Sequence, residues 1–183
     1  MNVVPTALSG VVVVQTSSLN DQRGSFTRLF CARELSAVIG NRRIAQINHS
    51  RTVTAGTVRG LHFQHQPHAE MKLVRCLKGR VLDIAVDLRA GSPTFLQWHA
   101  EELTMASAQM LVIPEGCAHG FQALEAETEL LYLHTAFHEP QSEDGVRFDD
   151  PRLGIPWPLP AVGLSDRDRG LPALERDFSG IAV

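Results

Sequence analysis

The chain has one tyrosine, two tryptophans and three cysteines among its 183 residues. Cys31, Cys76 and Cys117 are widely separated and form no CxxC pair. That argues against a zinc knot or a disulfide framework and leaves buried thiols in a reducing compartment. An excess of one charge is also missing, since 17 Lys and Arg stand against 20 Asp and Glu for a formal net charge of −3. Nucleic-acid binding is therefore disfavoured, because it rests on neutralising phosphates over a wide surface. No apolar run approaches the roughly 20 residues of a membrane helix. Residues 1–10 show no basic leader pattern. A cytoplasmic protein without membrane association is expected.

What the chain does have is many short runs of Val, Ile and Leu bounded by Gly, Pro or polar turns, the pattern of strands. Strands are predicted at 11–15, 26–30, 44–50, 72–77, 81–88, 95–103, 109–113, 120–123 and 129–136. Val81, Asp83, Ala85 and Asp87 alternate with Leu82, Ile84, Val86 and Leu88, which predicts a sheet with one buried face. Helices are predicted at 32–39, stopped by Gly40, and near 171–177. The proline-rich stretch 149–160 reads as ordered loop. No repeat or linker interrupts the chain, so residues 1–183 are expected to form one domain, a β-sandwich or jelly-roll barrel.

The chemistry concentrates around Arg59-Gly60-Leu61-His62, followed ten residues later by Lys72. An imidazole titrating near pH 6.5 is a ready general base. An arginine is rarely buried without an anion. Within an apolar barrel, the Lys72 ammonium would stabilise an enolate oxygen, and the Tyr132 phenol could return a proton. Each has a bland alternative: a hydrogen-bonded core histidine, an edge-strand lysine, a core aromatic. Five of the eight histidines fall between His49 and His99, which raises the question of a metal. However, Phe63-Gln64 breaks the HxH pair expected of a metal-holding barrel. His65, His68 and Glu70 lie on a loop bounded by Pro67. No metal and no cofactor are expected.

Eight motifs occur in a fixed order. Asp21–Phe26 (DQRGSF), Gln46–Ser50 (QINHS), Gly56–His62 (GTVRGLH) and Lys72–Arg75 (KLVR) come first. Val86–Thr94 (VDLRAGSPT), Ile113–Phe121 (IPEGCAHGF), Phe148–Pro151 (FDDP) and Leu164–Asp168 (LSDRD) follow. Together they resemble the dTDP-4-dehydrorhamnose 3,5-epimerase family over roughly residues 5–172. The resemblance implies a mainly β, double-stranded β-helix or jelly-roll (cupin-like) barrel with a few short helices, usually a homodimer. It implies inversion of carbons flanking the 4-keto group of a nucleotide-linked 6-deoxyhexose. His62 would be the base, Asp168 its partner, Lys72 the enolate stabiliser and Tyr132 the acid on the opposite face. Arg23, Arg59 and His119 would bind the diphosphate. Gln46 and Asn48 would line the sugar or nucleotide site, with His138, Glu143 and Arg167 as further substrate contacts.

Three positions depart from the family pattern: Arg28 replaces a glutamate, Ile47 an acid, and His138 a tyrosine that stacks on the base. All three bear on nucleotide recognition or its surroundings. An epimerase acting at C3 alone, at C5 alone, or on another nucleotide such as CDP therefore stays open. So do a 3,4-ketoisomerase and a non-enzymatic metal-binding cupin. The valine-rich N-terminal segment would suit edge pairing with a second subunit.

Overall fold

The computed structural model describes every residue from Met1 to Val183. The chain opens with β1 (Asn2–Pro5), β2 (Val12–Gln15), β3 (Leu19–Asp21), β4 (Gly24–Phe26) and a single helical turn, α1 (Ser36–Ile39). The central strands are β5 (Gln46–Thr52), β6 (Val58–Gln64), β7 (Lys72–Lys78), β8 (Arg80–Asp87) and β9 (Trp98–Thr104). Then come β10 (Gln109–Ile113), β11 (Cys117–Ala123), β12 (Thr128–His134), β13 (Glu143–Gly145) and the short helix α2 (Asp166–Gly170). None of the helices is long and apolar enough to cross a membrane.

Two antiparallel sheets make up the barrel. The first runs β1-β2-β10-β7-β12-β5 and the second β13-β6-β11-β8-β9, while β3 and β4 form a separate hairpin. Apolar side chains from both sheets interlock between them: Val13, Val74, Cys76, Leu111 and Leu130 from the first, Val81, Ala85, Phe121 and Ala123 from the second. This is the jelly roll expected from the sequence. A second cluster lies behind the five-stranded sheet, where Ile84, Val86 and Leu88 pack on Leu153, Ile155 and Ile181 of the C-terminal segment. The proline-rich stretch 149–160 is irregular but ordered against this face.

β8 corrects the expectation of one buried face. Ile84 and Val86 meet the C-terminal segment, Val81 and Ala85 face the other sheet, and Asp83 and Asp87 are fully buried as well. The acids are tolerated because each has partners. Asp83 pairs with His119. Asp87 accepts from Arg89 Nε at 2.8 Å, Arg89 Nη2 at 2.7 Å and Thr94 Oγ1 at 2.6 Å, and so ties the loop after β8. Burial would raise the Asp87 carboxyl, but these donors outweigh it and bring its pKa down to about 2.

Other boundaries moved for local reasons. The strand predicted at 26–30 ends at Phe26, which is exposed, while Phe30 turns back onto the core. The helix predicted at 32–39 keeps only its last turn, since Leu35 at its start offers no capping side chain. Residues 171–177 are not helical. The helix lies just before, where the Ser165 hydroxyl accepts from the Asp168 N–H at 3.0 Å. β6 was absent from the predicted series because Arg59, Gly60 and His62 interrupt its apolar run. The thiols of Cys76 and Cys117 are buried, which pushes their pKa values up to about 11 and about 12 and makes them poor nucleophiles.

Asp87 generates a stability prediction. Asp87→Ala leaves the half-buried Arg89 without its carboxylate and should cost about 3 kcal/mol in chemical denaturation. In the native protein the lowered carboxyl pKa means this contribution is complete above about pH 4 and is lost as pH falls toward 2. The variant should lack that part of the acid transition.

Candidate active site

At one end of the barrel the inward face of the strands changes from apolar to polar, and a cavity of about 640 Å³ opens between the sheets. Strand alternation explains the change. On β7, Val74 and Cys76 face the core and Lys72 occupies the next inward position toward the cavity. On β12, Leu130 faces the core, and Tyr132 and His134 line the cavity. β11 does the same with Phe121 and His119. At the edge of the first sheet, β5 contributes Gln46, Asn48 and Ser50, each two residues apart.

His62 enters from the second sheet, opposite Tyr132 on the first. Its Nε2 lies 2.6 Å from Asp168 Oδ1. Asp168 is buried on α2, where burial raises its pKa. The His62 hydrogen bond and positive charge more than offset this and hold it below the usual carboxylate range. An ionised Asp168 accepts Nε2–H and leaves the Nδ1 lone pair of His62 free as a base. Lys72 donates from Nζ to the His62 carbonyl oxygen at 3.0 Å and has Glu70 Oε1 at 3.3 Å. Tyr132 sits between the rings of His119 and His134, with centroids 5.9 and 6.0 Å away. Its hydroxyl accepts from Ser50 Oγ at 3.4 Å, and burial raises its pKa strongly, so the phenol stays protonated.

His119 pairs through Nε2 with Asp83 Oδ1 at 2.8 Å and lies beside His62 in the β6–β11 register. At the rim, Glu143 binds Arg167 at 2.9 Å and His138 at 2.8 Å, and Gln46 accepts from the His138 N–H. Arg59 is exposed at the cavity mouth. Its only hydrogen bond goes to the Arg51 carbonyl, and no carboxylate pairs with it. The burial that prompted attention to this arginine is not found. A cation without a counter-charge nevertheless sits where an anion would enter.

The cavity thus gathers His62, Lys72, Tyr132, Asp168, Gln46, Asn48, Arg59, His119, His138, Glu143 and Arg167. Arg23 is not among them. It lies on the β3–β4 hairpin turn, exposed and paired with Asp21. Two of the three departures from the family pattern also lie elsewhere: Arg28 pairs with Glu34, and Ile47 points outward from β5. Sequence reasoning missed Ser50 and His134, although each falls two residues from a chosen residue on the same strand face, and it weighed Glu70 only as a metal ligand. His65 pairs with Asp144 at the surface, and no three His, Cys, Asp or Glu side chains are placed to hold a metal ion.

A family model described as dTDP-4-dehydrorhamnose 3,5-epimerase matches residues 5–176. The chain belongs to the dTDP-4-dehydrorhamnose 3,5-epimerase family. A relative of that name from Shigella flexneri is 39% identical over 97% of this chain and 99% of its own. A dTDP-4-dehydrorhamnose 3-epimerase from Streptomyces niveus is 38% identical over 92% of this chain and 82% of its own. Among solved structures, dTDP-6-deoxy-D-glucose-3,5-epimerase from Legionella pneumophila Philadelphia 1, in complex with dTDP-4-keto-L-rhamnose, superposes with a TM-score of 0.91. It is 35% identical and covers 100% of this chain and 98% of that one. As a member of this epimerase family, the chain is an isomerase with a cupin-like jelly-roll fold.

The Arg-Gly-Leu-His motif that marks this epimerase also has a packing reason. Gly60 has φ +118°, and a Cβ there would lie 2.5 Å from Gly120 Cα and 2.7 Å from the His119 carbonyl oxygen. Only glycine lets β6 approach β11 closely enough to set His62 beside His119. Gly60→Ala should therefore destabilise the fold by about 3 kcal/mol, measured by urea denaturation. A loss below about 1 kcal/mol would show that the strands separate easily.

Proposed function

We propose that residues 1–183 act as one domain that inverts one or both carbons flanking the 4-keto group of a dTDP-linked 4-keto-6-deoxyhexose, in deoxysugar biosynthesis. One observation carries this reading: the base His62 and the acid Tyr132 project from facing sheets into one cavity. A sugar ring held between them exposes one face to each. His62 Nδ1 takes the acidic proton next to the ketone, and its positive charge is stabilised by Asp168. The electron pair moves onto the ketone oxygen, where Lys72 stabilises the enolate. Tyr132 then donates its O–H proton to the same carbon from the other side, which inverts the centre. Exchange with water returns a proton to the phenolate and removes one from the imidazolium.

Arg59 and His119, with Arg167 at the rim, supply the positive charge for the diphosphate. The thymidine assignment rests on the named relatives. His138 at the rim is the departure that bears on the base, so it is the residue to vary when nucleotides are compared. Whether one centre inverts or two is read from the product by NMR, since both kinds of relative occur. Three unpaired cysteines and a nucleotide-linked substrate fit a cytoplasmic setting.

The same reading includes a homodimer. Arg23 carries a diphosphate-binding motif yet lies outside its own cavity. Its hairpin also exposes Leu19 and Phe26 at 71% and 70%. A second copy would cover these side chains and receive Arg23 at its own diphosphate site.

Two measurements test these points. In D2O with dTDP-4-keto-6-deoxyglucose the native protein should place deuterium at C3, C5 or both, and His62→Ala should slow this by about 100-fold or more. Tyr132→Phe should still exchange protons but yield little inverted product. No deuterium uptake by the native protein would reject the epimerase. Light scattering should give a dimer, and Arg23→Ala should weaken dTDP binding about tenfold at unchanged thermal stability. A monomer with unaffected binding would reject the shared site.

A further inference from the structure

Among the imidazole–carboxylate pairs of the cavity, His134 and Glu70 form one that the proton transfers above do not use. Glu70 lies two residues before the start of β7, with its side chain only 7% exposed. One carboxylate oxygen, Oε1, lies 3.3 Å from Lys72 Nζ, and the other, Oε2, accepts from His134 Nδ1 at 2.7 Å. His134 is the register partner of Lys72 across β7 and β12. Its ring lies nearly parallel to that of Tyr132, at 17°. Its Nε2 is 3.4 Å from Asn48 Nδ2 on the neighbouring strand.

We propose that Glu70 is a positioning residue: it fixes the Lys72 ammonium toward the substrate's ketone oxygen and holds His134 as the Nδ1–H tautomer, which in turn orients the Asn48 amide. This deepens the epimerase reading and rests on it.

The argument is an inventory of donors. Lys72 has three N–H groups and no acceptor. One goes to the His62 carbonyl, and the ion pair with Glu70 at 3.3 Å pulls the ammonium from a second side, so a donor is left for the substrate in a defined direction. A lysine stem otherwise has four rotatable bonds, and a free ammonium would sample many positions. On the other side of Glu70, donation from Nδ1–H leaves Nε2 of the neutral ring as an acceptor. Asn48 Nδ2 is the donor facing it, so Asn48 Oδ1 is held available for a hydroxyl of the sugar. The ionised state of Glu70 supports both halves. Its burial raises the pKa, but the His134 hydrogen bond and the Lys72 charge offset this and leave it below the usual value.

Glu70→Gln keeps the shape and removes the charge. It should lower kcat for deuterium wash-in about tenfold, with KM and dTDP affinity changed less than about threefold and thermal stability nearly unchanged. Glu70→Asp, which restores the charge one methylene short, should recover part of kcat. Imidazole 15N shifts give a readout that needs no substrate. The His134 resonances, assigned by their loss in His134→Asn, should show a protonated Nδ1 in the native protein and a shift toward the Nε2–H form in Glu70→Gln. A Glu70→Gln enzyme with kcat within twofold of native, or a native His134 protonated at Nε2, would overturn the proposal. Because the tautomer is read without turnover, its outcome stands whether or not the native protein proves to be an epimerase. Failure of native exchange would count against that reading alone.

Discussion

The site depends on a change of character along single strands. β7, β11 and β12 each present an inward face that is apolar at one end and ionisable at the other, with no break between. Val74 leads to Lys72, Phe121 to His119, and Leu130 to Tyr132 and His134. Since inward positions recur every second residue, the core that holds the sheets together also fixes the directions of the polar side chains in the cavity. A slip of one residue would turn the polar groups outward and the apolar neighbours with them. Positional precision in the cavity is therefore a by-product of the register that stabilises the barrel.

Charge in this cavity is arranged in pairs. Asp168 serves His62, Asp83 serves His119, Glu70 serves both Lys72 and His134, and Glu143 serves Arg167 and His138. Most of these groups are buried, where an unpaired charge would be costly. Arg59 stands apart, exposed and without an acid. The interior pairs orient imidazoles and an ammonium, and the mouth presents free positive charge. That division suits a ligand with an uncharged, reactive end and an anionic tail.

The residues proposed for the reaction were legible because they stand in short motifs of specific spacing: His62 in its Gly-containing strand, Lys72 ten residues on, Asp168 after Ser165. Less legible was anything that depends on two faces being covered at once. Asp83 and Asp87 read as a solvent face, since nothing in the pattern of β8 discloses that His119 and the Arg89 loop would satisfy them inside. β6 was hidden by the polar and glycine positions that make it functional. His134 was overlooked and Glu70 weighed only for a metal because neither belongs to a motif, although simple alternation from Tyr132 would have placed His134 in the cavity. Arg23 is the opposite case: its motif was recognised, but nothing in the motif discloses that its hairpin lies away from this chain's own cavity.

The His62–Asp168 pair joins residues 106 positions apart. Its acid rides on a segment whose continuation is stitched to the end of β8, where Ile181 donates to the Leu88 carbonyl at 2.7 Å and accepts from the Ala90 N–H at 2.9 Å. In order of synthesis, then, the base, the lysine and the tyrosine are all in place before their proton-holding carboxylate emerges. A barrel that has folded but not yet been clasped has its base in place without the carboxylate that sets the tautomer. Cutting away the segment that carries α2 would therefore leave the cavity with its imidazole but without the carboxylate that faces Nε2.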